Sequence, residues 1–212
     1  SLIIQLDRQT VVGKRLLNEV LNFDGDNQKY AYTGIGLANL LDGELRFAEK
    51  NFDKALELDP KLTAAILNKG VVQSMTNNYS EANRLFKSTL ERDLEDNVAY
   101  ILLARNYIDI WEKTNKPRYL DDAEQLLLSF VEKNFDYKQE AYFLLAHIQF
   151  LKNNKSRLID FLESALDTDP SLTELHKHDI LVYREMVSWK SLLPWCEQLY
   201  QKQAEHYDFL AK

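Results

Sequence analysis

The feature of this sequence that most constrains its fold is a repeat with a period of 34 residues. A glycine, an alanine and a phenylalanine recur at the same intervals in two adjacent segments: Gly36, Ala48 and Phe52, then Gly70, Ala82 and Phe86. Three matches at one offset are not expected by chance in a chain of 212 residues with only six glycines. Because a short unit that cannot bury its apolar face alone is stabilised by stacking on its neighbours, the repeat predicts a solenoid.

The spacing within one copy indicates a pair of helices. Ala48, Phe52 and Ala55 lie four and three residues apart, so they share one face of a helix. Pro60 follows that helix, because proline cannot continue a helix interior. Gly36 precedes it on another helix, where the missing side chain lets the paired helix approach closely.

Two later segments continue the pattern. One contains Ala146 and Ala165, with "ALDTDPSL" resembling the earlier "ALELDPKL". In the other, Ala104 and Ala123 are 19 residues apart instead of 12, which indicates a seven-residue insertion in or beside "DIWEKTNKPRYL". We expect this insertion to form a protruding loop near residues 112–119.

These residues resemble the tetratricopeptide repeat (TPR) family. Its pattern places a bulky residue, Leu-Gly and Tyr on a first helix, then Ala, Phe and Ala on a second helix, with Pro closing the repeat. The resemblance covers roughly residues 8–200 and implies an all-α, right-handed superhelical solenoid of antiparallel helix pairs. The motif residues pack helices together, so they indicate a fold and not an activity. The best copy contains Tyr32, Ile35, Gly36, Ala48, Phe52, Ala55 and Pro60.

The predicted organisation is a single solenoid over residues 1–212. The first helix with the spacing of a repeat's second helix (a second-type helix) is preceded by a loop and only about seven further residues, too few for a whole first helix. We therefore expect the chain to begin mid-repeat, as a fragment of a longer array. An upstream targeting signal therefore stays open. The predicted segments are a partial repeat (1–27), full repeats (28–61, 62–95 and 139–172), a repeat with the insertion (96–138) and a degenerate or capping repeat (173–212).

Composition excludes several classes of partner. The net charge of −7 argues against a nucleic-acid or anionic-membrane surface, which needs clustered lysine and arginine. No apolar run approaches the roughly 20 residues that span a bilayer. The single cysteine, Cys196, rules out an internal disulfide and is compatible with a reducing compartment, so we expect a cytoplasmic protein. The expected partner is a protein or peptide, with self-association left open.

No pattern in the sequence indicates an enzyme. His176 and His178 lie two residues apart and face different sides of a helix, which does not suit a metal. Cys196 and His206 are ten residues apart on a predicted helix, about 15 Å, too far to form a nucleophile pair. A glycine-rich phosphate loop and a complete calcium loop are both missing from the sequence. We therefore expect no catalytic residue, no cofactor and no metal.

The TPR resemblance implies that the first helices line a concave groove and that their non-motif positions face a ligand. In this sequence those positions are mainly apolar. We therefore predict a protein–protein interaction scaffold whose groove binds an apolar or amphipathic segment of a partner. The predicted groove residues are Leu37, Leu41, Leu67, Asn68, Val71, Met75, Ile101, Leu102, Arg105, Ile108, Phe143, His147 and Phe150.

The sequence is also compatible with a groove that is not open to a partner. Tight superhelical curvature would pack these side chains against each other, and a second copy or the chain's own terminus would fill the groove in a self-association module. The chain also suits a regulatory TPR region of a larger multidomain protein. The clamp that TPR proteins use for chaperone tails is disfavoured, because Asn68 is the only suitable residue among the matching positions. Those positions carry Thr33, Leu37, Asn68, Val98 and Leu102.

Overall fold

A computed structural model describes residues 2–22, 25, 27–133 and 138–168 of the protein. Within these ranges every regular element is a helix, as predicted. The predicted degenerate or capping repeat at 173–212 lies outside the described residues. The helices are α1 (Leu2–Val20), α2 (Gln28–Leu41), α3 (Leu45–Leu58), α4 (Thr63–Met75), α5 (Tyr79–Leu90), α6 (Asn97–Thr114), α7 (Pro117–Val131), α8 (Lys138–Leu151) and α9 (Lys155–Asp167).

The chain divides into two compact units, Ser1–Asp136 and Tyr137–Lys212. In the first unit α2 packs on α3, α4 on α5, and α6 on α7; α3 also contacts α4, and α5 contacts α6. First helices touch along the stack, α2 with α4 and α4 with α6. In the second unit α8 packs on α9.

The phenylalanines of the repeat fill the contact inside the first two pairs. Phe52 lies against Gly36, and Phe86 lies against Gly70. Both rings are fully buried. The alanines four residues before them, Ala48 and Ala82, are 0% exposed, which explains why only a small side chain occurs there.

Each first helix is followed by a residue with a left-handed backbone. Gly43 has φ 76°, and three asparagines have φ 63°, 50° and 56°: Asn77, Asn115 and Asn153. Glycine and asparagine are the residues that adopt this conformation at the least cost, and they commonly terminate helices in this way. These positions reverse the chain between the two helices of every pair.

The insertion lengthens two helices and does not form the predicted loop. α6 has 18 residues and α7 has 15, against 13 in α4 and 12 in α5. The expectation of a protruding loop at 112–119 is therefore wrong, since only Asn115 and Lys116 separate α6 from α7. Pro117 begins α7 at a position where its missing N–H leaves no hydrogen bond unmade.

The first helix is continuous, which also differs from expectation. α1 runs from Leu2 to Val20 without the loop predicted near its start. It packs on α2 as a second-type helix, with Leu17 against Gly34. Gly13 takes the position of the buried alanines, yet a Cβ built on it would meet nothing within 4 Å.

Candidate interaction surface

The predicted groove residues all lie on first helices, but they differ in exposure. Leu41 and Met75 are 52% and 40% exposed. Leu37, Asn68, Phe143 and Phe150 are partly buried. The other seven are buried: Leu67, Val71, Ile101, Leu102, Arg105, Ile108 and His147.

Burial is most complete on α6. Residues 99–108 are all buried, including the predicted groove positions Ile101, Leu102 and Ile108. α6 contacts α4, α5 and α7, so it is covered on more than one side, as a helix that is apolar nearly all round requires. These side chains contribute to packing in the structure, and their role in binding a partner stays a prediction.

The predicted groove residues of α8 also contribute to packing. Phe143 and Phe150 pack on the core formed by Ala146 and Leu158 in the second unit. His147 is 4% exposed, and its Nδ1 atom has no hydrogen-bond partner in the described part of the chain. Burial lowers the pKa of His147 to about 4, so the imidazole is neutral at physiological pH.

The accessible part of the predicted groove lies on α2 and α4. Leu37 and Leu41 follow one face of α2, and Asn68 and Met75 follow the neighbouring face of α4. The two helices contact each other, so the four side chains lie on neighbouring helices of the stack. Asn68 Nδ2 donates to the Ala64 carbonyl oxygen at 2.8 Å, which leaves its amide oxygen available to a partner's N–H group.

A polar network between α4 and α6 was not predicted. Ser74 Oγ lies 2.8 Å from Asn106 Oδ1 and 3.2 Å from Asp109 Oδ2. Asn106 Nδ2 donates to the backbone oxygen of Tyr79 and to Asn83 Oδ1. Polar residues inside largely apolar helices were the only sequence signal, and they do not show which partners meet across repeats.

Two kinds of site are not found in the described ranges. No three His, Cys, Asp or Glu side chains there are grouped so that they would hold a metal ion. No helix in the same ranges is long and apolar enough to cross a membrane.

Comparison with known proteins gives matches among solved structures only. Neither a protein-family profile nor a curated protein sequence matches the chain. A TPR protein of Parabacteroides merdae aligns with a TM-score of 0.63 and 20% identity over 85% of this chain and 65% of its own. The TPR protein TTC0263 of Thermus thermophilus aligns at 0.60 and 17% identity, over 74% and 82%. MamA of Desulfovibrio magneticus aligns at 0.59 and 19% identity, over 76% and 86%.

The chain has the tetratricopeptide-repeat fold. The resemblance predicted from the recurring glycine, alanine and phenylalanine is thereby confirmed at the level of the fold. Sequence identities this low carry no information about partners, so the role of the TPR surface follows from its own side chains. Among the predicted groove positions, Leu41 of α2 and Met75 of α4 are exposed, whereas the apolar positions of α6 are buried.

Proposed function

We propose that this TPR chain is a non-catalytic protein–protein interaction scaffold that binds an apolar or amphipathic segment of a partner protein. The binding surface is the first-helix face of α2 and α4. The observation that carries the proposal is the exposure of Leu41 and Met75, at 52% and 40%, on two helices that contact each other. Apolar side chains of this size are the usual anchors of a docked peptide or helix.

The neighbouring groups suit such a ligand. Leu37 is partly buried beside Leu41 and would be covered further by a docked segment. Asn68 places an amide oxygen on the same surface, where it can accept a hydrogen bond from a peptide backbone. Apolar anchors next to one directional polar group give both affinity and orientation.

Selection from a phage-displayed library of amphipathic peptides tests this proposal. We expect the wild-type chain to enrich a peptide family and Leu41→Glu to lose it, because a charged side chain cannot be desolvated against an apolar anchor. Leu58→Glu is the matched control, since Leu58 is the same residue type, is also 52% exposed and lies at the end of the second-type helix α3. Equal binding by folded Leu41→Glu and wild type would reject the α2–α4 surface.

Self-association is a second candidate, supported by a different surface. α1 exposes three apolar side chains around its open Gly13 position: Val11, Val12 and Leu16. On α3, α5 and α7 the equivalent alanines, Ala48, Ala82 and Ala123, are 0% exposed. Light scattering across a concentration series should show a dimer that Leu16→Lys converts to a monomer, and a concentration-independent monomer would exclude it.

A further inference from the structure

In the polar network at the junction of α4 and α6, the Ser74 hydroxyl lies near two acceptor oxygens but has only one hydrogen to donate. Asn106, at its centre, is 1% exposed, so water does not supply partners there. The network connects Ser74 of α4 with Asn106 and Asp109 of α6 and with two groups of α5. Its hydrogens can be counted atom by atom.

The backbone carbonyl of Tyr79 decides the orientation of the Asn106 amide. That carbonyl lies 3.0 Å from Asn106 Nδ2 and can only accept, so the nitrogen must face it. The second amide hydrogen is donated to Asn83 Oδ1 at 2.9 Å. Asn106 Oδ1 is therefore the atom that faces Ser74 Oγ at 2.8 Å, and Ser74 donates its single hydroxyl hydrogen to it.

Asp109 consequently faces an oxygen that has no hydrogen left to donate. Asp109 Oδ2 lies 3.2 Å from Ser74 Oγ, whose hydrogen is used at the shorter distance to Asn106. An ionised carboxylate would set its lone pairs against those of the hydroxyl oxygen. A protonated carboxyl donates its own hydrogen to Ser74 Oγ, which accepts it.

We propose that Ser74 and Asp109 form a proton-linked clamp between the second and third helix pairs, closed by the carboxyl hydrogen of Asp109. Loss of that proton removes the hydrogen bond and weakens the junction of α4 with α6. The clamp lies next to Met75 on α4, so it also affects how firmly the proposed binding surface is held to the rest of the stack.

The surroundings of Asp109 favour the neutral carboxyl. Burial raises the pKa of Asp109 to about 6, and the Glu112 carboxylate acts in the same direction. Arg105 and Lys113, also on α6, act in the opposite direction. A hydrogen bond donated by the α4 hydroxyl to the carboxylate would lower the pKa as well, but the hydrogen count assigns that hydrogen to Asn106.

The remaining titratable group that acts together with Asp109 comes from α5. The pKa of Tyr79 is raised by burial and then by the charges of Asp109 and Glu112, so its phenol is neutral in the same pH range. Because the folded-state pKa of Asp109 exceeds the ordinary 3.8, the clamp is fully effective below pH 4 and is lost as the pH rises through about 6.

Carbon-13 NMR of the full chain with labelled aspartate measures this ionisation directly, and Asp109→Asn identifies the signal. We expect a midpoint near pH 6 for Asp109. Ser74→Ala is the decisive variant, because loss of an acceptor for the neutral carboxyl should lower the midpoint by about one pH unit. Ser88→Ala is the control, since that hydroxyl donates within α5 to Leu85, and it should leave the midpoint unchanged.

Two results overturn the clamp. A midpoint near pH 4 in the wild type would show that ionising the Asp109 carboxyl costs no more free energy in the folded protein than in the unfolded chain. A raised midpoint in Ser74→Ala would show that Ser74 donates to the carboxylate.

Urea unfolding tests the proposed clamp independently, through the pH dependence of stability. Asp109→Asn keeps an N–H donor towards Ser74 at every pH, so the ratio of wild-type to variant unfolding constants should rise about tenfold from pH 5 to pH 7.5. An unchanged ratio would contradict the proposal.

Discussion

The aromatic ring of Phe52 lies so close to Gly36 that a Cβ atom on this glycine would be 2.6 Å from Phe52 Cε1. Gly70 and Phe86 repeat this relationship in the next helix pair. Both glycines lie in the middle of helices, where glycine is unfavourable by roughly 0.5–1 kcal/mol relative to alanine. Close approach of the ring therefore explains why glycine occupies both positions.

Gly70→Ala should destabilise the protein by roughly 1–3 kcal/mol, because the added methyl group overlaps the Phe86 ring. Phe86→Leu in the same chain should restore part of this loss. The third helix pair already carries that combination, with Ala104 and Leu127 at the equivalent positions, both fully buried. Urea denaturation of the single and double variants measures the effect. A double variant less stable than Gly70→Ala alone would contradict the explanation.

Asn115→Ala should cost about 1 kcal/mol, because alanine is strained at φ 50° whereas asparagine tolerates it. Asn115→Gly is the control, since glycine adopts this backbone without strain. The Asn115 N–H donates to the Trp111 carbonyl in either variant, so this helix-terminating bond is unchanged. Thermal unfolding compares the two proteins, and equal melting temperatures would show that the backbone conformation is not the cause.

His147 should make the protein less stable in mild acid. Burial lowers its pKa to about 4 from the ordinary 6.5, so the unfolded chain binds a proton more readily between these values. Its contribution is present above pH 6.5 and is lost as the pH falls towards 4, by about 3 kcal/mol in total. The stability contribution of Asp109 changes with pH in the opposite direction over this window. Comparing wild type with His147→Leu at each pH cancels the Asp109 contribution, because both proteins contain it.

The direct measurement is the imidazole titration of His147 by NMR. We expect a midpoint near pH 4 in the folded protein. A midpoint near 6.5 would show that the ring is solvated and would remove the predicted acid sensitivity.

The helix pairs were predictable because their signals are local and repeated. The spacing of Ala48, Phe52 and Ala55 defines a helical face by itself, and the second copy tests it within the same chain. The insertion was detected but its form was not. Seven extra residues are compatible with a loop or with longer helices, and in the structure they lengthen α6 and α7, with only Asn115 and Lys116 between them.

The candidate surface was less predictable for a physical reason. Leu41 and Ile101 are both apolar residues on first helices, yet one is exposed and the other is buried. An apolar pattern shows which side chains avoid water but not whether another helix already covers them. Coverage depends on contacts between repeats, which are far apart in the sequence.

The sequence alone determined the helical repeat, the small residues that let paired helices approach and the TPR fold that follows from them. Those properties depend on intervals of three, four and 34 residues, which are written along the chain. Only the tertiary structure decided that α2 and α4 carry the accessible surface and that Ser74 meets Asp109. Exposure and hydrogen-bond partners are set by distances between separate helices, and the packing of neighbouring repeats determines those distances.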